Sequence, residues 1–292
     1  MSLFYRKLPR FDYVRPKTVD EALSILAGQK GGAKLLAGGT DLLPQLRRRE
    51  TPAPACVIDL KGISGLDGID YKDGVLRIGP LLTVRAAADS PILRERFAAL
   101  QEAASVMASP QVRNRGTLAG NICNAVPSAD SAPALLVFDA EVLAQGSKGA
   151  RSIPIDGFFN GPRRTVLASD EMCAGIAVPP PLAGSRSTYL KLSPRHSMDL
   201  AVVGVAVWGV AADGYCREVR IALGAVAPTP IRARGAERLL AGRKVTPEAI
   251  EEAARAAGTE CSPIDDHRAS AEYRCDMVYA MTRRALRRVF AG

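Results

Sequence analysis

The sequence predicts an α+β fold in two parts, and three observations carry that reading. Pro179, Pro180 and Pro181 stand in a row, and a run of prolines makes a stiff connection that cannot continue a sheet interior. Before them, short apolar runs and helical patterns follow one another without the regular alternation of a doubly wound sheet. After them, two long strand-like runs meet at the hairpin turn Asp213-Gly214, and three helical patterns follow. That second part reads as an antiparallel sheet of three or four strands with helices on one face. The expected domains are therefore 1–179 and 182–292.

The elements can be justified in order. Thr18-Val19-Asp20-Glu21 is a capping box, Ala22, Leu23, Ile25 and Leu26 form the apolar stripe of the helix it opens, and Gly28 ends it. Leu35, Leu36 and Ala37 suit a short buried strand, and Gly38 and Gly39 turn the chain. Thr40 or Asp41 can cap a helix starting at Leu42, with Pro44 tolerated in its first turn. Strands are expected at 56–60 and, after the turn Lys72-Asp73-Gly74, at 75–79. Thr83 caps a short helical piece, and Ser90-Pro91 opens a longer helix to about Met107. Leu93, Phe97, Leu100 and Ala104 share one face of that helix, and Ser109-Pro110 stops it. Residues 113–133 read as a compact loop, because Gly116, Gly120, Pro127 and Pro133 punctuate them. Ala132-Pro133 begins the next helix, and strands at 141–144, 151–154 and 172–178 complete the first part. In the second part strands are expected at 187–192, 201–210 and 215–226, and helices at 232–241, 247–257 and about 270–290.

Composition narrows the class. The 292 residues are 47% hydrophobic and 24% charged, values ordinary for a soluble globular chain. No apolar run approaches the ~18 residues of a membrane span; the longest, 200–212, is broken by Gly204 and Gly209. The N-terminal residues 1–16 carry charges and prolines where an export signal has an apolar core, so a cytoplasmic place is expected. The six cysteines lie far apart, without a C-x-x-C pair, and read as reduced thiols. His196 and His267 are isolated, so a zinc or iron–sulfur centre built by this chain alone is not expected, and His196 reads as a surface residue. The net charge is +9, but Arg47-Arg48-Arg49 and Arg283, Arg284, Arg287 and Arg288 sit near helix C-termini. Positive charge complements the helix dipole there, which argues against nucleic acid and leaves an acidic partner subunit as the other use of the charge.

Two stretches carry the candidate chemistry. In 113–133, the small residues Gly116, Ala119 and Gly120 let a ligand approach the main chain, and Thr117 and Asn121 add side-chain donors. A diphosphate needs many N–H groups and few obstructing side chains; an ordinary tight turn packed on its own domain would use the same residues. In 34–46, KLLAGGTDLLPQL, a strand, a Gly-Gly turn and a helix start form a second anion site in outline. It matches neither G-x-G-x-x-G nor the G-K-[ST] phosphate loop. Two such loops suggest a ligand with two phosphates held from both sides.

Ala37-Gly38-Gly39-Thr40-Asp41 followed by Thr117-Leu118-Ala119-Gly120-Asn121 resembles the paired FAD motifs of the flavoprotein subunits of molybdenum hydroxylases, among them the medium subunit of carbon monoxide dehydrogenase and the flavin domain of xanthine dehydrogenase. The likeness extends through Arg113-Asn114-Arg115-Gly116, through Pro127-Ser128-Ala129-Asp130 and to residues 222–230, ALGAVAPTP. It departs where Ala119 stands for the usual first glycine of Gly-Gly, and the extra methyl would sit near the diphosphate if the loop geometry is kept. The resemblance implies a two-part FAD-binding domain of the vanillyl-alcohol oxidase-like (PCMH) type, followed by a C-terminal domain of the carbon monoxide dehydrogenase flavoprotein type.

The resemblance also carries cofactor-binding roles onto Leu35, Leu36, Ala37, Gly38, Gly39, Thr40, Asp41, Leu42, Thr117, Ala119, Gly120, Asn121 and Asn124. Asp130, on its own residues a helix N-cap, is implied to lie close to the FAD. Alternation puts Tyr189 and Lys191 on one face of their strand; read alone they are a solvent face, and the resemblance places both beside the flavin ring. No nucleophile with its base is found, which suits a relay that leaves the redox chemistry to its cofactor. The implied protein is an electron-transfer subunit of a cytoplasmic dimer of heterotrimers. A large subunit holds the molybdenum cofactor, a small one holds two [2Fe–2S] clusters, and NAD or a quinone meets the flavin. The alternatives are a self-sufficient FAD-dependent reductase on the same fold and a flavin-free scaffold subunit.

Overall fold

The structure is a computed structural model that describes residues 7–195 and 197–290. His196 and residues 1–6 of the charged, proline-bearing N-terminal stretch lie outside it. The chain opens with β1 (Asp12–Val14), α1 (Val19–Gly28), β2 (Ala33–Leu36), α2 (Leu42–Arg48) and β3 (Cys56–Asp59). β1 and β2 pair in parallel with the two sides of β3, whose four residues are all buried. The capping box closes as expected at its N-cap: Thr18 Oγ1 accepts from Glu21 N at 3.1 Å, while Glu21 reaches back to Lys17 N at 2.7 Å.

Next come β4 (Ile69–Lys72), β5 (Val75–Ile78), α3 (Val84–Asp89), α4 (Pro91–Arg96), α5 (Ala98–Val106), α6 (Pro110–Arg113), α7 (Leu118–Cys123) and α8 (Ser131–Val137). Three strands follow, β6 (Glu141–Gly146), β7 (Gly149–Pro154) and β8 (Glu171–Val178), and the five-stranded antiparallel sheet runs β4-β5-β8-β6-β7. The helix expected across 91–107 is broken at Phe97, whose φ of −131° and ψ of 49° leave the helical region. The cause is packing: the fully buried Phe97 ring meets Tyr71 edge-on at 5.9 Å and Phe138 at 5.3 Å, a stronger demand than continuing the helix. The stretch 113–133 is likewise not all loop. Thr117 accepts a bond from the N–H three residues on, and α7 starts there.

The rest is β9 (Arg186–Leu192), β10 (Val203–Ala212), β11 (Tyr215–Gly224), β12 (Ile231–Arg232), α9 (Arg234–Leu240), α10 (Pro247–Thr259) and α11 (Ala271–Phe290). The antiparallel sheet runs β12-β11-β10-β9. Its near-continuous apolar runs have a simple reason: both faces are covered. Val203, Val205 and Val207 pack with α10 and α11 on one face. Ala206, Trp208, Ala222 and Tyr189 pack with α5 and α8, elements from before the three prolines, on the other. The prolines divide the sequence, but one core runs across them.

A pH-dependent element lies on the rim of the five-stranded sheet. Arg151 grips both oxygens of Glu171 at 2.7 and 2.8 Å, and these bonds, against a smaller effect of burial, hold the Glu171 carboxyl down at about 2 from its ordinary 4.5. A carboxylate depressed in the folded state stabilises above its unfolded pKa, and that gain disappears as pH falls through the folded value. Glu171→Gln should therefore lower the melting temperature by a constant amount above pH ~5. The difference should shrink between pH 4.5 and about 2, as thermal scans in a pH series would show; a gap that does not vary with pH contradicts this.

Candidate functional site

The turn between β2 and α2 meets the segment before α7 backbone to backbone. A Cβ added to Gly38 would stand 2.1 Å from the Arg115 carbonyl oxygen and 2.8 Å from Gly116 Cα, so only glycine permits the approach. Gly39 has a φ of +73°, in the region where a side chain is strained. Farther along, Gln45 Nε2 on α2 donates to Asn124 Oδ1 at 2.9 Å. Two loops remote in sequence are thereby tied at both ends.

Between them lies a cavity of about 670 Å³, a size typical of cofactor pockets. Leu35, Leu36, Ala37, Gly38, Gly39, Thr40, Asp41 and Leu42 line one wall, and Thr117, Gly120, Asn121, Asn124 and Asp130 line the other. Thirteen of the sequence-derived residues thus share one cavity. Among the described residues, the N–H groups of Gly38, Gly39, Thr40 and Asp41 have no hydrogen-bond acceptor, although their neighbours Leu43 and Gln45 do. Such a row of unclaimed main-chain donors is the donor set an anion takes up.

A clamp outside the cavity sets that row. Lys61 Nζ donates to the Ala37 carbonyl at 2.8 Å and is itself held by Asp59 at 2.6 Å. Asp59 also accepts from Tyr13 Oη at 2.5 Å. Burial raises the Asp59 pKa, but the bonds from Lys61 and Tyr13 outweigh it and leave the carboxyl below its ordinary value. In a planar trans peptide C=O and N–H point opposite ways. Pinning the Ala37 carbonyl to Lys61 therefore turns the Gly38 N–H away from Lys61.

The second wall is built from caps. Thr117 Oγ1 accepts from Gly120 N at 2.9 Å, which leaves its hydroxyl proton free to donate. Asn121 Oδ1 accepts from Ser131 Oγ at 2.6 Å, which leaves its amide NH2 for the cavity. Asp41 stands at the N-cap of α2 without a capping bond, against expectation; burial pushes its carboxyl up while Arg163 and Arg48 oppose the shift. Asp130 does not cap α8 either. It is 5% exposed and accepts from Tyr189 Oη at 2.7 Å and from Lys191 Nζ at 2.9 Å. Burial raises the Asp130 pKa, with Lys191 and Tyr189 acting the other way.

Three expected residues are not on the cavity wall. Ala119 is buried in the main core with its methyl among apolar side chains, so the extra carbon does not project into the cavity. Tyr189 and Lys191 stand behind Asp130, neither on a solvent face nor against the cavity. Lys191 also donates to the Asp199 carbonyl at 3.0 Å, which ties down Met198, Asp199 and Leu200, a segment of the wall that the sequence did not single out. Arg163, Gln45 and Lys61 were missed too. Each acts through a tertiary contact, and no local pattern marks it.

The family described as "FAD binding domain in molybdopterin dehydrogenase" matches residues 9–181, and the "CO dehydrogenase flavoprotein C-terminal domain" matches residues 188–289. The carbon monoxide dehydrogenase medium chain of Hydrogenophaga pseudoflava is 38% identical over 97% of this chain and 98% of its own. The xanthine dehydrogenase FAD-binding subunit of Escherichia coli O157:H7 is 35% identical over 96% of each. A chain in the structure of carbon monoxide dehydrogenase from Hydrogenophaga pseudoflava superposes with a TM-score of 0.94 at 39% identity, over 98% of this chain and 99% of that one.

Proposed function

The chain belongs to the family of FAD-binding medium subunits of the molybdenum hydroxylases, and from that premise we propose that it is the electron-transfer subunit of a heteromeric molybdenum-dependent oxidoreductase. The observation that carries the reading at this site is the row of unclaimed N–H groups at Gly38, Gly39, Thr40 and Asp41, facing a second donor-bearing wall across one cavity. A diphosphate lies between the two loops, taking hydrogen bonds from that row and from Thr117 and Asn121. Gln45 and Asn124 keep the loops at a fixed separation. When bound, FAD supplies the redox chemistry through its ring. Asp130, set by Tyr189 and Lys191, presents one buried carboxylate to the cavity, and Lys191 holds the segment carrying Met198 and Leu200 against the same space. Residues 1–179 form the FAD-binding domain and 182–292 the C-terminal domain.

The partners are a large subunit with the molybdenum cofactor and a small one with two [2Fe–2S] clusters, arranged as a dimer of heterotrimers in the cytoplasm. Electrons pass between those clusters and an outside carrier such as NAD or a quinone. The chain purified with its native partners should release FAD on denaturation; an intact complex without releasable FAD overturns the proposal. The Lys61 clamp gives a second test. A charge-assisted bond is worth about 1.5–3 kcal/mol, so Lys61→Met should weaken FAD about tenfold or more by flavin titration. Unchanged affinity would leave the clamp without a role.

A further inference from the structure

Far from the cavity in sequence, two cysteines meet where α10 ends and α11 begins. Cys261 Sγ donates to Cys275 Sγ at 3.0 Å and lies 3.2 Å from the Gly258 carbonyl. Both residues are part-exposed, whereas Cys56 and Cys216 are buried. The approach is held from both flanks by consecutive residues of one segment. Ser262 N donates to the Val226 carbonyl at 2.9 Å, fixing the residue after Cys261. Arg274 Nη1 donates to the Ala225 carbonyl at 3.2 Å and to the Val202 carbonyl at 2.7 Å, fixing the residue before Cys275. Within the connecting stretch, Asp266 Oδ1 accepts from Arg274 Nη2 and from Arg268 N, each at 2.8 Å. These ties hold the two backbone segments that carry the sulfurs beside each other.

We propose that Cys261 and Cys275 are a thiol–disulfide modification site, which hydrogen peroxide converts to an intramolecular disulfide joining the end of α10 to the start of α11. A peroxide oxygen passes to one sulfur to give a sulfenic acid, with loss of one water. The second sulfur displaces that oxygen, the S–S bond forms, and a second water leaves. The two sulfurs give up two electrons and their S–H protons end in water, so the peroxide is fully reduced. Burial and the neighbouring sulfur push the Cys261 thiol up to about 12, so at neutral pH it stays protonated and donates to Cys275. This site is independent of the flavin reading.

The experiment uses the full chain. Reduced protein is treated with hydrogen peroxide, remaining thiols are alkylated, and tryptic peptides are mapped by mass. Cleavage after Arg255, Arg268, Arg274 and Arg283 puts the two cysteines in separate peptides, 256–268 and 275–283. The expected result is one species joining those peptides and lighter by two hydrogens than their sum, absent from Cys261→Ser and from Cys275→Ser. Closing a loop of this length restricts the unfolded chain, so the oxidised protein should melt about 5 °C higher. Recovery of both peptides in alkylated form overturns the proposal. So does a bond between two chains, or a linked species that melts no higher than the reduced protein.

Discussion

Gly38→Ala is expected to abolish FAD binding. The new methyl would overlap the Arg115 carbonyl, 2.1 Å away, and this neighbour is backbone, not a flexible side-chain end. The loops must separate, and the wall bearing the unclaimed N–H groups then moves away from Thr117 and Asn121. Losing two charge-assisted bonds to a diphosphate costs about 3–4 kcal/mol or more, a fall in affinity of at least ~100-fold. Overpacking itself destabilises by about 1–3 kcal/mol, so the melting temperature should drop as well. Gly68→Ala is the control, because nothing lies within 4 Å of its added Cβ. Flavin absorbance per protein and a titration with FAD read the outcome; a Gly38→Ala protein that holds FAD like the parent would contradict the account.

Asp130→Asn is expected to destabilise the protein strongly. The side chains of Asp130 and Lys191 are each only 6% exposed, and they meet at 2.9 Å. Removing the carboxylate leaves the ammonium of Lys191 with the Asp199 and Val106 carbonyls but no counter-charge. Breaking one side of a buried pair typically costs 3–5 kcal/mol, which in a chain of this size is a fall in melting temperature of roughly 10 °C. Lys191→Met should behave similarly from the other side. The double variant should cost clearly less than the two single ones together, because neither charge is then stranded. Strict additivity in thermal melts would show that the pair is not a unit. Asp130 lines the cavity, so flavin content should fall with the single substitutions even below their melting temperatures.

Much of the site was legible because its parts are local. The Gly-Gly turn between an apolar run and a helix start, and the small residues around Thr117, can be read from neighbours in the chain. The placement of residues 35–42 on one wall follows from that. The resemblance put Asp130 close to the FAD, and the residue lines the cavity, but its local reading as an N-cap failed, since tertiary partners claim both carboxylate oxygens. Tyr189 and Lys191 were legible as a pair on one strand face. That this face is buried against Asp130 and the core around α5 was not, because burial depends on elements far earlier in the chain. Lys61 is the clearest case of an illegible residue. Its role exists only because β2 and β3 pair in parallel, bringing Ala37 within its reach. The missed break at Phe97 has the same origin: helical spacing was right on both sides, and ring packing decided the middle.

The central claim is that two turns remote in sequence hold one diphosphate between them. A crystal structure of the assembled complex loaded with FAD tests it most directly. The account predicts diphosphate oxygens within hydrogen-bond distance, about 3 Å, of N–H groups in Gly38, Gly39, Thr40 and Asp41 on one side and of Thr117 or Asn121 on the other. A flavin whose diphosphate touches only one of the two turns, or lies outside this cavity, would contradict it.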